Sequence, residues 1–164
     1  MGRWKVFGLV LATTTVGVLS SALLPATSQV SGKTFTLCEK NGPKDYEKNV
    51  DNGEQGFSAG DQFIFSEPEF DRNGDRVGKL VGVGTVVRRL KQDGLVRFNV
   101  SLNLRGGRIE IQASTKFSNL GGGTAVPIIG GTGKYNDASG VVEIYGRGCK
   151  GVSRRADRLR VKLN

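Results

Sequence analysis

The sequence predicts an all-β domain in the form of an eight-stranded antiparallel barrel that closes on itself. Three observations lead to this fold class. Apolar and polar residues alternate with a period of two in eight separate segments. Glycine is abundant, with 25 residues against 4 prolines, and glycine-containing turn signals separate the segments. No window of useful length has the period of an amphipathic helix.

The amino-terminal strand candidates carry aromatic side chains on one face. In the first candidate Phe35 and Leu37 share a face, and in the second Phe63 and Phe65 do so. The third is apolar and interrupted by glycines, which allow a strand to bend strongly. The fourth alternates strictly and includes Phe98. These candidates cover residues 34–38, 61–66, 77–87 and 95–104.

The remaining four candidates follow in the second half of the chain, and the last one alternates basic residues with leucine and valine. They cover residues 108–113, 125–129, 141–147 and 158–163. Residues 39–59 are polar, so we expect a long loop there. Closure into a barrel is favoured because it removes the exposed edges of an antiparallel sheet.

Residues 1–28 have the features of a signal peptide. A short basic start is followed by an apolar stretch, and Ala26 and Ser28 suit a small-residue cleavage site. A retained membrane anchor is the alternative, because the apolar stretch is near the lower length limit for a span. We therefore expect a secreted or extracytoplasmic protein whose single barrel domain covers residues 29–164.

Cys38 and Cys149 lie near the two ends of the predicted domain. An exported protein meets an oxidising compartment, so an even pair predicts one disulfide bond. The bond would join the first strand to a late strand, and these are neighbours in a closed barrel. The alternative is two separate buried thiols.

The absence of histidine and the excess of basic residues limit the possible functions. The sequence has no His, which excludes the usual Ser-His-Asp catalysis and removes the commonest zinc ligand. Its net charge is +9. We expect no metal. The basic residues concentrate near the carboxyl end, where they indicate a solvated strand face. No aromatic residues interleave with them as a base-stacking platform, so no nucleic acid partner is expected.

Two glycine-containing segments resemble ligand loops but favour turns. Gly130-Gly131-Thr132-Gly133-Lys134 lacks the first glycine and the Ser or Thr of a phosphate loop, which favours a tight turn before the next strand. Residues 71–75 resemble the start of a calcium loop. They lack its later glycine and glutamate, so a hairpin turn at Asn73-Gly74 is predicted.

Glu39 and Glu67 each follow an apolar strand that bears phenylalanines. A carboxyl group that faces a barrel interior is desolvated, so its pKa rises and it can act as an acid or base near neutral pH. The alternative for either residue is a solvent-facing charge at the end of a strand.

Several motifs resemble those of dirigent proteins and allene oxide cyclases. The stretch PIIGGTGKYNDASG at residues 127–140 is similar to the Gly-Gly-Thr-Gly signature of dirigent proteins, and allene oxide cyclases have a related turn. Residues 60–68 and 77–82 resemble two dirigent strands. Residues 39–41, Glu-Lys-Asn, are similar to the Glu-x-Asn of allene oxide cyclases. The order and spacing hold over most of the predicted domain.

The resemblance implies a barrel with a largely hydrophobic cavity that binds an apolar small molecule without a cofactor. Family members steer a reactive intermediate into one cyclisation or coupling outcome, and similar bacterial barrels are cyclases of specialised metabolism. We therefore expect a cofactor-free cyclase or isomerase for a polyketide- or lipid-like intermediate, including pericyclic ring closure. Both plant families place an acidic residue on the first strand inside the cavity, which implies catalytic roles for Glu39 first and Glu67 second.

The expected substrate-binding residues are aromatic residues on the predicted strands and turns and one amide; they are Phe35, Phe63, Phe65, Phe98, Tyr135, Tyr145 and Asn41. Three alternatives stay open. The first is a non-catalytic barrel that carries an apolar ligand, and the second is a dirigent-type coupling guide. A structural role of the basic face on an anionic polymer or membrane is the third. Related barrels often assemble, so a homo-oligomer is compatible with the resemblance.

Overall fold

The computed structural model describes residues 32–39, 46–90, 93–149, 152–153 and 156–164. The predicted signal peptide and Asn41 lie outside these residues. The described residues form nine strands and one short 3-10 helix: β1 (Thr34–Glu39), β2 (Tyr46–Val50), β3 (Gln62–Phe70), β4 (Arg76–Leu90), β5 (Asp93–Leu104), β6 (Gly107–Lys116), the 3-10 helix (Phe117–Asn119), β7 (Gly122–Gly133), β8 (Gly140–Tyr145) and β9 (Asp157–Leu163).

Eight of the strands form the closed antiparallel barrel that the sequence predicts. The hydrogen-bonded order runs β1-β9-β8-β7-β6-β5-β4-β3, and a pairing of β1 with β3 closes the ring. This closing seam is short, with Cys38 opposite Phe70 and Glu39 opposite Glu69. Closure leaves the sheet without the exposed pair of edges that an open antiparallel sheet would have.

The ninth strand, β2, corrects the expectation of a long loop over residues 39–59. It pairs with the first half of β3, from Val50 opposite Gln62 to Tyr46 opposite Ser66. Glu47, Lys48 and Asn49 are exposed, so the strand lacks the apolar alternation that marks a buried face. The backbone edge of β3, rather than side-chain burial, holds it in place.

One end of the barrel is filled with side chains. Inward-facing residues from most strands meet there, including Leu102, Ile109 and Val161, which are fully buried. We call this the packed end; its other members include Phe35, Leu104, Ile128, Tyr135 and Leu163. Full burial of such side chains contributes on the order of 2 kcal/mol each. The opposite end, where β1 finishes and β9 begins, is hollow.

The Gly-Gly-Thr-Gly segment lies at the packed end, as the last residues of β7 rather than as a turn. Gly131 pairs with Ile109 of β6. A Cβ atom at Gly131 would lie only 2.2 Å from the carbonyl oxygen of Tyr135, so the close backbone approach requires glycine. The tight turn follows at residues 134–137. The other predicted turn is confirmed, because Gly74 has a φ of 91° between β3 and β4.

The predicted disulfide bond joins Cys38 to Cys149, with Cα atoms 5.7 Å apart. It lies outside the barrel wall in a small cluster with Ala156, against which Phe70 packs. A disulfide is typical of proteins in oxidising compartments and fits an extracytoplasmic protein. None of the helical segments in the described part of the chain is long and apolar enough to cross a membrane.

Candidate active site

The hollow end of the barrel contains a cavity of about 400 Å³, which is within the range of small-molecule sites. We call it the barrel cavity. Its lining is mostly apolar and aromatic, and four acidic residues also line it. The lining includes Phe63, Phe65, Leu80, Phe98, Val100, Ile111, Ala113, Phe117, Leu120, Val126, Val142, Ile144 and Leu159, with Glu39, Glu47, Glu67 and Asp157.

Four phenylalanines form an aromatic wall on one side of the barrel cavity. The ring centroids of Phe63 and Phe117 lie 5.4 Å apart in an edge-to-face arrangement, and those of Phe98 and Phe117 lie 6.4 Å apart. Phe117 belongs to the short 3-10 helix and is 41% exposed. It therefore lies where the cavity meets solvent, while Phe65 lines the cavity from β3.

Glycines in β4 create the space that this wall occupies. A Cβ atom on Gly82 would lie 2.7 Å from the ring of Phe65, and one on Gly84 would lie 2.8 Å from the ring of Phe98. Both distances are far below van der Waals contact, so neither ring could keep its place beside a larger residue. The glycines that interrupt this strand in the sequence thus allow two rings to pack directly against its backbone.

The acidic residues converge because the closing seam brings three strands together. Glu39 ends β1, where it is opposite Glu69 of β3 and Asp157 of β9. Glu67 lies two residues before Glu69, so the two side chains share the inner face of β3. Glu47 reaches the same cavity from β2.

The environment of Glu39 favours the protonated form of its carboxyl group. Burial raises the pKa of Glu39 well above its ordinary value, and a hydrogen bond with Glu67 and the charges of Glu67, Glu69 and Asp157 raise it further. An ionised carboxylate has no proton to donate. The hydrogen bond between the two side chains therefore requires one protonated partner, and the raised pKa assigns that proton to Glu39.

Glu69 is the second unusual acid. Its side chain is fully buried, and neither carboxyl oxygen has a hydrogen-bond partner. Burial and the neighbouring charge of Glu67 raise the pKa of Glu69 to about 8. Most buried polar groups in folded proteins have a partner, so this unpaired carboxyl group behind Glu39 requires an explanation.

The structure places five of the predicted site residues at the barrel cavity: Glu39, Glu67, Phe63, Phe65 and Phe98. Three others lie elsewhere. Phe35 is four residues before Glu39 on β1 and packs at the packed end. Tyr135 is also buried at that end.

Tyr145 faces away from the cavity because Val142 and Ile144 of the same strand occupy the inner positions. Its hydroxyl donates to Glu143 Oε2 at 3.0 Å. The guanidinium carbon of Arg158 lies 4.4 Å from its ring centroid. The structure therefore places Tyr145 on the outer face, away from the lining of the barrel cavity.

The sequence interpretation missed Glu47, Glu69, Asp157 and Phe117. A usable signal existed for Glu69, because the alternation of Phe63, Phe65 and Glu67 continues to it across Pro68. The other three depend on which strands meet at the seam and at the cavity mouth. Within the parts of the chain that the structure describes, no group of three or more His, Cys, Asp or Glu side chains could hold a metal ion.

The fold and site define a closed β-barrel with a hollow, acid-bearing end. The chain belongs to the family with an allene oxide cyclase barrel like domain, whose family model matches residues 44–150. This identification confirms the resemblance noted in the sequence. Comparison with curated proteins gives no significant match.

Solved structures share the barrel fold. A pyocyanin demethylase is 24% identical, and the match covers 80% of this chain and 100% of that chain with a TM-score of 0.67. A nonspecific heme-binding cyclase of neoabyssomicin biosynthesis is 16% identical over 80% of this chain and 63% of its own, with a TM-score of 0.60. A pterocarpan synthase dirigent protein is 14% identical, and the match covers 80% of this chain and 90% of that chain with a TM-score of 0.52. At these identities the likeness shows the fold alone.

Proposed function

We propose that the protein is a cofactor-free cyclase or isomerase that binds an apolar or aromatic small molecule in the barrel cavity. The observation that carries this proposal is that Glu39 and Glu67 both line the same aromatic cavity, where Glu67 contributes to the raised pKa of Glu39. The pair offers an acid and a base at adjacent positions, and the cavity offers a shape that can fold a flexible substrate.

The Glu39–Glu67 pair suits a reaction without net proton uptake. Glu39, the member of the pair whose pKa is raised, gives its proton to the substrate, and Glu67 takes a proton from another substrate atom. The pair then holds the same single proton, now on Glu67. Transfer across the hydrogen bond between the two side chains returns it to Glu39. The enzyme resets itself, and the product has the same composition as the substrate.

The apolar lining supports the chemistry in two ways. It excludes water, which strengthens the electrostatic effect of the acidic pair on a bound substrate. Its aromatic rings also limit the orientations that a substrate can adopt. The comparisons support this role, because the similar folds include a cyclase described as catalysing a 4 + 2 cycloaddition and a pterocarpan synthase dirigent protein.

Mass-conserving turnover tests the proposal. The purified protein is incubated with the apolar small-molecule extract of the producing organism, and liquid chromatography with mass spectrometry follows new products. We expect a product of unchanged mass and altered retention. Glu39→Gln should slow its formation by about a hundredfold or more, as general-acid loss does. Glu110→Gln is the matched control, because Glu110 pairs with Arg108 away from the cavity.

Other results would change the assignment. A product of altered mass would contradict an isomerase or cyclase. Retention of one apolar compound by the protein, without any product, would identify a carrier. Undiminished turnover by Glu39→Gln would remove Glu39 from the mechanism even if the cavity is the site.

We also propose that the protein acts outside the cytoplasm. The predicted leader at residues 1–28 and the disulfide bond between Cys38 and Cys149 support export. Expression with the native leader followed by amino-terminal sequencing tests this. The exported protein should begin at Gln29, whereas recovery of an uncleaved chain in the membrane fraction would favour the anchor.

A further inference from the structure

We propose that the protein docks onto anionic lipid bilayers with the part of the cavity mouth that β4, β5 and β6 form. This inference names a partner for the site of the proposed function and rests on it, because an apolar ligand would enter the barrel cavity past this surface. We call the surface the docking rim. It consists of Val87, Arg88 and Arg89 near the end of β4, Lys116 at the end of β6, and Phe117 of the 3-10 helix.

The docking rim has exposed apolar side chains at the mouth of the barrel cavity. Val87 is 50% exposed and Phe117 is 41% exposed. Isolated exposed hydrophobic residues are common on soluble proteins and need no partner. Phe117, however, also lines the cavity, so the apolar surface continues from the rim into the interior. This continuity indicates a partner that can supply the cavity with an apolar ligand.

Three exposed basic side chains accompany these apolar ones. Arg88 of β4 is opposite Leu95 of β5, and Leu95 is opposite Lys116 of β6. Cross-strand partners lie about 5 Å apart on one face of a sheet, so this row places Arg88 and Lys116 on either side of Leu95. Arg88, Arg89 and Lys116 are all exposed, and none of them forms an ion pair with another described residue.

This combination matches the surface of an anionic bilayer. Exposed aromatic and aliphatic side chains enter the boundary between headgroups and acyl chains, and neighbouring Lys and Arg side chains attract acidic headgroups. An apolar ligand partitions into the same bilayer. A protein docked by its cavity mouth would take up the ligand without passing it through water.

The acidic residues at this end of the barrel leave the docking rim basic. Asp93 accepts hydrogen bonds from the backbone of Gly94 and from the backbone and hydroxyl of Ser118, so its carboxylate joins β5 to the 3-10 helix. The acids that line the cavity belong to β1, β2, β3 and β9, on the seam side of the mouth. The loop between β2 and β3 adds the exposed Asp51 and Glu54. We therefore expect the protein to approach a bilayer with its β4–β6 side.

Two other occupants fit the docking rim less well. A soluble anionic polymer would use its basic residues but leave Val87 and Phe117 in water. A second copy of the chain, placed symmetrically on the rim, would bring Arg88 and Arg89 close to the same residues of its partner, and such like-charge contacts oppose association.

Flotation of the exported protein with lipid vesicles tests the inference. Vesicles of phosphatidylcholine alone are compared with vesicles that also contain about 30% phosphatidylglycerol. Each basic residue near an anionic surface strengthens binding about fivefold, and Asp51 and Glu54 offset part of this gain. We expect about tenfold tighter binding to the anionic vesicles, and high salt should remove most of the difference.

Two variants with matched controls locate the contact. Arg88→Gln combined with Arg89→Gln should weaken binding to anionic vesicles about tenfold. Arg76→Gln combined with Arg105→Gln removes the same charge from exposed positions at the packed end and should have little effect. Val87→Ser should weaken binding about fivefold because less apolar surface is buried. Its control is Ile129→Ser, since Ile129 of β7 is 60% exposed outside the docking rim.

Some results would overturn the inference. Equal binding to the two kinds of vesicle, or binding to neither, would do so. An equal loss of binding in the two arginine double variants would show a general effect of net charge rather than docking by the rim. Self-association that Val87→Ser abolishes, together with no binding to vesicles, would identify a second copy of the chain as the occupant.

Fluorescence titration with acridine, a neutral aromatic probe, separates the inference from the proposed function. Binding of acridine by a protein that does not bind anionic vesicles would overturn the docking and leave the cavity as a site for aromatic molecules. Binding to anionic vesicles that depends on the docking rim, without any binding of acridine, would support the docking and contradict the proposed aromatic ligand.

Discussion

Glu69 should make the folded protein less stable as the pH rises through neutrality. Its pKa is raised from the ordinary 4.5 to about 8 in the folded state, so between these values the folded chain holds a proton that the unfolded chain releases. Stability therefore falls with increasing pH in this window. One pKa unit corresponds to about 1.4 kcal/mol, which gives a total loss on the order of 5 kcal/mol above about pH 8.

Glu69→Gln removes this loss because glutamine stays neutral at every pH. The variant should be more stable than the original protein by about 3 kcal/mol at neutral pH, since two to three pKa units separate this pH from 4.5. At about pH 5 the two proteins should have nearly equal stability. Denaturant unfolding with the disulfide bond intact measures the difference, and Glu54→Gln, at an exposed position, is the control.

A constant difference between Glu69→Gln and the original protein across this pH range would refute the reasoning. It would mean that Glu69 keeps the same protonation in the folded and unfolded chains. A difference that grows as the pH falls would contradict it more strongly, because that result requires a lowered pKa in the folded state.

Two further changes probe the wall and the seam. Gly82→Ala should push the Phe65 ring into the barrel cavity and lower the free energy of unfolding by about 1–3 kcal/mol. The control is Gly122→Ala, where the new Cβ atom meets nothing closer than 3.7 Å. Gly82→Ala should bind a fluorescent aromatic probe such as acridine more weakly than the control does. Replacing Cys38 and Cys149 together by alanine should lower the free energy of unfolding by about 5 kcal/mol, because the bond closes a loop with a sequence separation of 111 residues. A free energy of unfolding in denaturant equal to that of the disulfide-bonded protein would contradict this.

The barrel itself could be predicted because its signals are local. The alternation in each segment, such as Phe63 and Phe65 on one face, reports strand and burial directly. Turn signals such as Asn73-Gly74 separate the strands. The two cysteines indicate that the two ends of the domain lie together, although Cys149 lies in the connection between β8 and β9 rather than in a late strand. All eight predicted strands occur. The candidates at 61–66, 77–87, 108–113 and 125–129 extend by three or four residues at one end or both because hydrogen bonding continues beyond the apolar pattern, whereas the candidate at 141–147 already ends at Tyr145.

The acidic site could be predicted only in part because it depends on contacts between distant strands. Glu39 and Glu67 each continue a pattern of alternating apolar residues that includes phenylalanine, which indicates that their side chains face the barrel interior. Asp157 becomes a neighbour of Glu39 only through the register of β9 against β1. The short strand β2, which brings Glu47 to the cavity, has no apolar period at all. The outer position of Tyr145 could not be predicted, because the presence of an aromatic residue in a strand does not show which face it occupies.

The seam explains why the acids gather where they do. Across the described strands, Glu67 and Pro68 have a partner only on β4, because β3 leaves β2 at Ser66 and meets β1 at Glu69. Proline lacks a backbone donor and suits this interruption. Carboxyl groups at such a break destabilise the barrel. The disulfide bond is attached at Cys38, next to Glu39, and its stabilisation is of the same order as the loss due to Glu69. The disulfide bond therefore lies where its stabilisation can offset the destabilisation that Glu69 introduces at the seam.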